Sequence, residues 1–149
     1  MQAVRPAIAS DLISLLELFR ASEVSAAAEP MERAAQIWAD MLSHPGVAVF
    51  VAAPGTPIVA TCMLVTVPNL LRGGRGYGFL ENVVTHPAFR GQGFGRAVVG
   101  AALAAAWTKD CHHVLLQTGR KDPRVHRFYQ GCGFVGGLRV GYVAQRPAG

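Results

Sequence analysis

Between residues 80 and 108 the chain passes from a β-branched segment, Leu80-Glu81-Asn82-Val83-Val84-Thr85, through His86-Pro87, into an Ala-rich stretch. The junction reads Arg90-Gly91-Gln92-Gly93-Phe94-Gly95-Arg96. Three glycines at alternate positions remove Cβ atoms just where a helix begins. The first amides of a helix have no intrahelical partner and carry the positive end of its dipole. Glycine lets an anion approach those amides, and Arg90 and Arg96 add full charges. A strand, a turn and a helix arranged in this way hold a phosphate or pyrophosphate. The dinucleotide motif G-x-G-x-x-G is excluded, because the sixth position is Arg96 counted from Gly91 and Val98 counted from Gly93. A P-loop is excluded as well, since no Lys follows any of these glycines. The plain alternative is a glycine-rich turn that only caps a helix.

A chain of 149 residues suits one domain, residues 1–149, with a substantial core. The start, Met1-Gln2-Ala3-Val4-Arg5-Pro6, meets Asp11 before any long apolar run, unlike a signal peptide. The longest apolar stretch, residues 97–107, is far shorter than a membrane span, so the cytoplasm and no membrane partner are expected. Cys62, Cys111 and Cys132 form no C-x-x-C pair, which argues against a disulfide framework. Cys111-His112-His113 are consecutive, and no second cluster follows at zinc spacing, so no metal is expected. The net charge of +5 favours an anionic ligand. Its basic residues are scattered or lie near two Gly-rich loops, without the stripe or the aromatic platform of a nucleic-acid binder.

The pattern predicts a short strand over residues 3–6, then a helix capped by Ser10 or Asp11 with Leu12, Leu15, Leu16 and Phe19 on one face. A second helix starts near Pro30, presents Ile37, Trp38 and Met41, and stops before His44-Pro45-Gly46. Residues 47–52 and 58–67 read as a hairpin around Pro54-Gly55-Thr56-Pro57. Residues 77–85 form a fourth strand, 93–109 a long helix, 114–117 a fifth strand and 123–132 a final helix with Pro123 in its first turn. Residues 133–135 and 139–144 read as closing strands. The order of elements is mixed α/β.

Arg90-x-x-Gly93-x-Gly95 resembles the acetyl-CoA pyrophosphate loop of the GCN5-related N-acetyltransferases, the GNAT superfamily. Val83-Val84-x-x-Pro87 ahead of it is similar to that family's fourth strand. The stretch from Asp122-Pro123 to Phe128-Tyr129 and Gly133-Phe134 resembles the family's Asn-x-x-Ala-x-x-x-Tyr-x-x-x-Gly-Phe, with Asp122 in place of Asn and Val125 in place of Ala. From Glu81 to Gly95 the likeness is to glucosamine-6-phosphate N-acetyltransferase-like members, although the first half carries no matching motif. The resemblance implies a twisted, mixed, mostly antiparallel sheet of about seven strands with about four helices, splayed between the fourth and fifth strands.

It also implies transfer of an acetyl group from acetyl-CoA to the primary amine of a small molecule, by direct attack in a ternary complex. The amides of Gly91, Gln92, Gly93, Phe94, Gly95 and Arg96, with the charge of Arg90 beside them, would take the pyrophosphate. The backbone of Val83 and Val84 would take the pantetheine as an added strand, and a strand N–H there would polarise the thioester carbonyl. Tyr129 is the implied general acid, since a phenol stays protonated at neutral pH and can donate to the departing sulfur. Glu81 is the candidate base, directly or through water; its plain alternative is an exposed carboxylate or one paired with Arg75. A regular pleat puts Glu81 with Val83 on one face and Asn82 with Val84 on the other, and a bulge would alter that parity. Arg72 and Arg75 border the acceptor side as solvated or anion-binding arginines. Rival readings are a protein or peptide N-acetyltransferase and a non-catalytic acyl-CoA sensor. A homodimer is expected if residues 139–144 pair at an edge.

Overall fold

A computed structural model describes residues 3–149, and Met1 and Gln2 lie outside the described residues. Packing divides the chain into two compact units, Met1–Leu116 and Gln117–Gly149.

The first unit is built on one sheet in the order β1-β2-β3-β4-β5. Its strands are β1 (Val4–Pro6), β2 (Val47–Ala52), β3 (Ala60–Val67), β4 (Tyr77–Thr85) and β5 (Val114–Leu115). β1 to β4 pair antiparallel, and β5 pairs parallel to β4 through Gly78–Val114 and Phe79–Leu115. The expected mixed, mostly antiparallel sheet and the hairpin of β2 and β3 are therefore present.

Strand alternation gives the sheet two chemically distinct faces. One face carries Val51, Thr61 and Met63 and lies under α1 (Leu12–Ala21) and α2 (Met31–Ser43). Leu15, Leu18, Trp38, Val51, Ile58 and Val84 form a single buried cluster there. Removing one such aliphatic side chain from water is worth about 1.5–3 kcal/mol, so this cluster anchors both helices. Trp38 Nε1 donates to the Ala9 carbonyl (3.1 Å), and the Ile58 amide donates to Ser14 Oγ (3.0 Å). On α2 the buried residues are Ala34 and Trp38, whereas Ile37 turns to solvent.

The other face carries Cys62, Leu64 and Leu80 and packs on α3 (Phe94–Thr108). Val98, Val99, Ala102 and Ala106 of α3 are wholly buried. The Cys62 thiol donates to the Val98 carbonyl (3.2 Å), and burial pushes that thiol's pKa up to about 12.

Three expectations change. Asp11 does not cap α1: its carboxylate turns back to accept the Ile8 amide (2.8 Å) and the Arg5 guanidinium (2.7 and 2.9 Å). Ion pairing to a residue six positions earlier wins over the local cap. The sheet has five strands among the described residues, not seven. Residues 133–135 and 139–144 form no strand. Gly133 and Gly137 take left-handed φ values (+99° and +77°), which break the extended run, and Leu138, Val140, Tyr142 and Val143 stay exposed instead of joining a ladder.

The second unit contains α4 (Pro123–Gly131). Asp122 caps it by accepting the Arg124 amide (2.9 Å), with Pro123 in the first turn as expected.

Candidate functional site

The centre of β4 is irregular, and the irregularity fixes where its side chains and amides point. Thr61 pairs with Val84 and Met63 with Glu81, so Asn82 and Val83 together stand opposite Cys62. This is a β-bulge, and Asn82 takes the left-handed conformation (φ +51°) that only a few non-glycine types, Asn among them, adopt readily. Directly paired residues share a face of a sheet. Glu81 is therefore on the face of Met63, and Val84 on the face of Thr61, which is the same α1/α2 face. The regular pleat would have separated them.

The backbone follows the same shift. The Gly78 amide donates to the His113 carbonyl on the β5 side, whereas the His86 amide donates to the Val59 carbonyl on the β3 side. Two residues of like parity thus address opposite neighbours, as one inserted residue requires. Past the bulge, Val84 and His86 turn their N–H groups toward β3, and Val83 and Thr85 turn theirs toward the other edge. Val84 is buried, Val83 half-buried, and Glu81 and Asn82 are exposed.

The glycine loop follows directly. Residues Pro87–Phe89 make a 3-10 turn in which His86 Nδ1 accepts the Ala88 amide (3.0 Å). Phe89 meets His86 and Phe94 edge-on, with centroids 5.6 and 6.1 Å apart. Gly91 and Gly93 take left-handed φ values of +75° and +88°, and Gly93 is the residue before the first turn of α3. A Cβ on Gly91 would meet nothing within 4 Å, so its conformation, and not crowding, calls for glycine. The Phe94 side chain and Gly95 are buried, while Arg90, Gln92 and Arg96 are exposed. Phe94 can thus serve an anion only through its main chain. Phe94, Gly95 and Arg96 form the first turn of α3, whose amides no helical carbonyl can satisfy.

Beside the bulge, an apolar pocket of about 90 Å³ opens between the helices and the sheet, with Asn82 in its wall. Sequence reading missed both the pocket and the left-handed Asn82. An asparagine inside a β-branched run was the one available signal. Arg75 pairs with Asp110 (3.1 Å) and not with Glu81. His113 stacks on Tyr77 with centroids 5.5 Å apart.

In the second unit, Tyr129 is half-buried on α4, edge-on to Phe128 and Phe134 at 5.1 and 6.1 Å. The Phe134 amide donates to the Tyr129 carbonyl (3.1 Å), which ties the helix end to the Gly133-Phe134 turn. The Arg124 guanidinium beside Asp122 (2.8 Å) holds that carboxyl down to about 2, so Asp122 remains an anionic cap. Glu81, Val83, Val84 and the loop from Arg90 to Arg96 belong to the first unit, and Tyr129 to the second.

The profile of the Acetyltransferase (GNAT) family matches residues 12–134. Over 98 residues the chain is 35% identical to a glucosamine 6-phosphate N-acetyltransferase of Trypanosoma brucei brucei, covering 64% of this chain and 65% of that protein. Over 67 residues it is 36% identical to an aminoglycoside N(6')-acetyltransferase type 1 of Stenotrophomonas maltophilia, covering 44% and 42%. The chain thus spans less than two thirds of the length of these curated relatives. A solved structure from Agrobacterium tumefaciens str. C58 superimposes with a TM-score of 0.88 at 43% identity, covering 96% of this chain and 99% of that one.

Proposed function

Since this chain belongs to the acetyltransferase (GNAT) family, we propose that it transfers the acetyl group of acetyl-CoA to the primary amine of a small molecule by direct attack in a ternary complex. The observation that carries this reading is the continuity of bulge, turn and glycine loop on one strand and one helix. The amides of the first turn of α3, with Arg90 and Arg96, receive the pyrophosphate. The outward N–H of Val83 suits the pantetheine arm or the thioester carbonyl, and Val84 supports it as core.

In the reaction the amine nitrogen attacks the thioester carbonyl carbon, and the C–S bond breaks as the amide forms. Before the attack the ammonium gives one proton to Glu81, directly or through water, which frees the lone pair, and the second N–H proton leaves to solvent as the adduct collapses. Tyr129 donates its phenolic proton to the departing thiolate and regains one from solvent. Exposed apolar residues near the C-terminus favour self-association as a homodimer.

The test combines acetyl-CoA binding with CoA release. Saturating acetyl-CoA stabilises the protein by a few kcal/mol in a thermal shift, whereas NAD and ATP do not. Release of CoA that depends on an amine separates a transferase from an acyl-CoA sensor. Tyr129→Phe lowers kcat about 100-fold while acetyl-CoA binding is kept. An unchanged kcat in the folded variant removes the assignment of Tyr129.

A further inference from the structure

The pocket beside the bulge carries information about the acceptor that the relatives do not supply, since the two named above act on chemically different amines. Its walls are Leu15 and Phe19 of α1, Trp38 and Met41 of α2, and Met63 of β3, closed at the bulge by Asn82. None of its lining residues carries a charge at neutral pH. Of the polar side chains lining it, Thr61 Oγ1 donates to the Phe50 carbonyl (2.8 Å), the Cys62 thiol to Val98, and Trp38 Nε1 to Ala9, which leaves the Asn82 amide as the polar group at the bulge end. A phosphate would find no cation there, and the several hydroxyls of a sugar would meet an apolar wall beyond Asn82.

From this lining we propose that the acceptor is a primary amine with an apolar substituent, a short branched chain or a single ring, which fills this pocket while its nitrogen faces Glu81. The proposal rests on the acetyl-transfer reading. The orientation comes from the bulge: Met63 in the pocket wall pairs directly with Glu81, so the carboxylate stands on the pocket's face of the sheet. The Cβ atoms of such a pair are about 5 Å apart. That separation matches about two carbons between the nitrogen and the bulky group. An ammonium ion is thereby drawn to a carboxylate while its apolar end leaves water against helices α1 and α2.

The experiment measures CoA release from acetyl-CoA with isopentylamine, 2-phenylethylamine, ethanolamine, glucosamine 6-phosphate and kanamycin. The two apolar amines are expected to exceed ethanolamine in kcat/KM by about 10- to 100-fold, the range that apolar pockets give for added carbon. Met41→Glu and the near-isosteric Met63→Gln are expected to erase that preference while the thermal shift with acetyl-CoA is kept. Far-UV circular dichroism checks that each variant is folded, and failure of Met41→Glu to fold leaves Met63→Gln as the test. Preference for glucosamine 6-phosphate or kanamycin overturns the apolar acceptor and leaves acetyl transfer standing. Equal preference in wild type and Met63→Gln overturns the pocket's role. Acetyl-CoA binding with no CoA release from any amine overturns both the transferase reading and this proposal.

Discussion

At the scale of single residues, Asp11 shows how one carboxylate can organise a chain end. It is nearly buried, accepts both guanidinium N–H groups of Arg5, and takes the Ile8 amide as a third donor. The Arg5 hydrogen bonds hold its pKa below the ordinary carboxylate value, against the opposing effect of burial. A folded-state pKa below the unfolded one means that the contribution is fully present above about pH 4, the unfolded value, and is lost as pH falls through the folded value. Asp11→Asn is expected to lower stability by about 1 kcal/mol at neutral pH, with solvent at half-exposed Arg5 limiting the loss. In urea titrations, the gap between variant and wild type should shrink from pH 5 toward pH 2, and a gap that grows there would contradict the assignment. Sequence reading placed Asp11 at a helix start, which is correct in position. It could not foresee the Arg5 partner, because a helix-start signal concerns the cap position alone and Arg5 lies six residues earlier, on β1.

At the scale of elements, the glycine loop separates conformational need from ligand contact. Gly91 has open space around its Cβ position and a left-handed φ, so Gly91→Ala introduces backbone strain of about 1 kcal/mol and no clash. The expected outcome is a modest drop in Tm together with a tenfold or greater loss of acetyl-CoA affinity by titration calorimetry. An unaltered affinity would remove the loop from the cofactor site. This loop, the hairpin of β2 and β3, and helices α3 and α4 were legible because their signals are local: alternation, helical spacing, Gly and Pro. The bulge was not, since one inserted residue changes the phase of a strand without changing its composition. A bulge near Glu81 is compatible with the sequence, but nothing in its composition fixes the face of Val84. The closing strands failed for the complementary reason. Their apolar alternation is real, yet a strand exists only when an edge accepts it, and Gly133 and Gly137 turn the chain before one does.

At the scale of the molecule, the C-terminal segment leaves Leu138, Val140 and Tyr142 largely in solvent, at 77, 77 and 89% exposure. On the homodimer proposal, these side chains are the surface through which two copies associate. Light scattering on the full chain is expected to give twice the monomer mass, and Val140→Asp with Tyr142→Asp together to return it to the monomer. A wild-type monomer at tens of micromolar would exclude the homodimer. The net charge of +5 bears on ligand capture as well, because a cationic surface draws in anions at rates that fall as salt rises.

The inserted residue in β4 also divides one strand into two halves of different register. Upstream, residues 77–81 pair with β3 in one register; downstream, Val84 and Thr85 pair with it in a shifted one, and His86 leads on to the glycine loop. Substitutions in α1, α2 and the upstream half therefore change the proposed acceptor side without re-registering the loop that follows. On the proposed function, the register shift at Asn82 lets one cofactor loop be combined with different acceptor sides over evolutionary time.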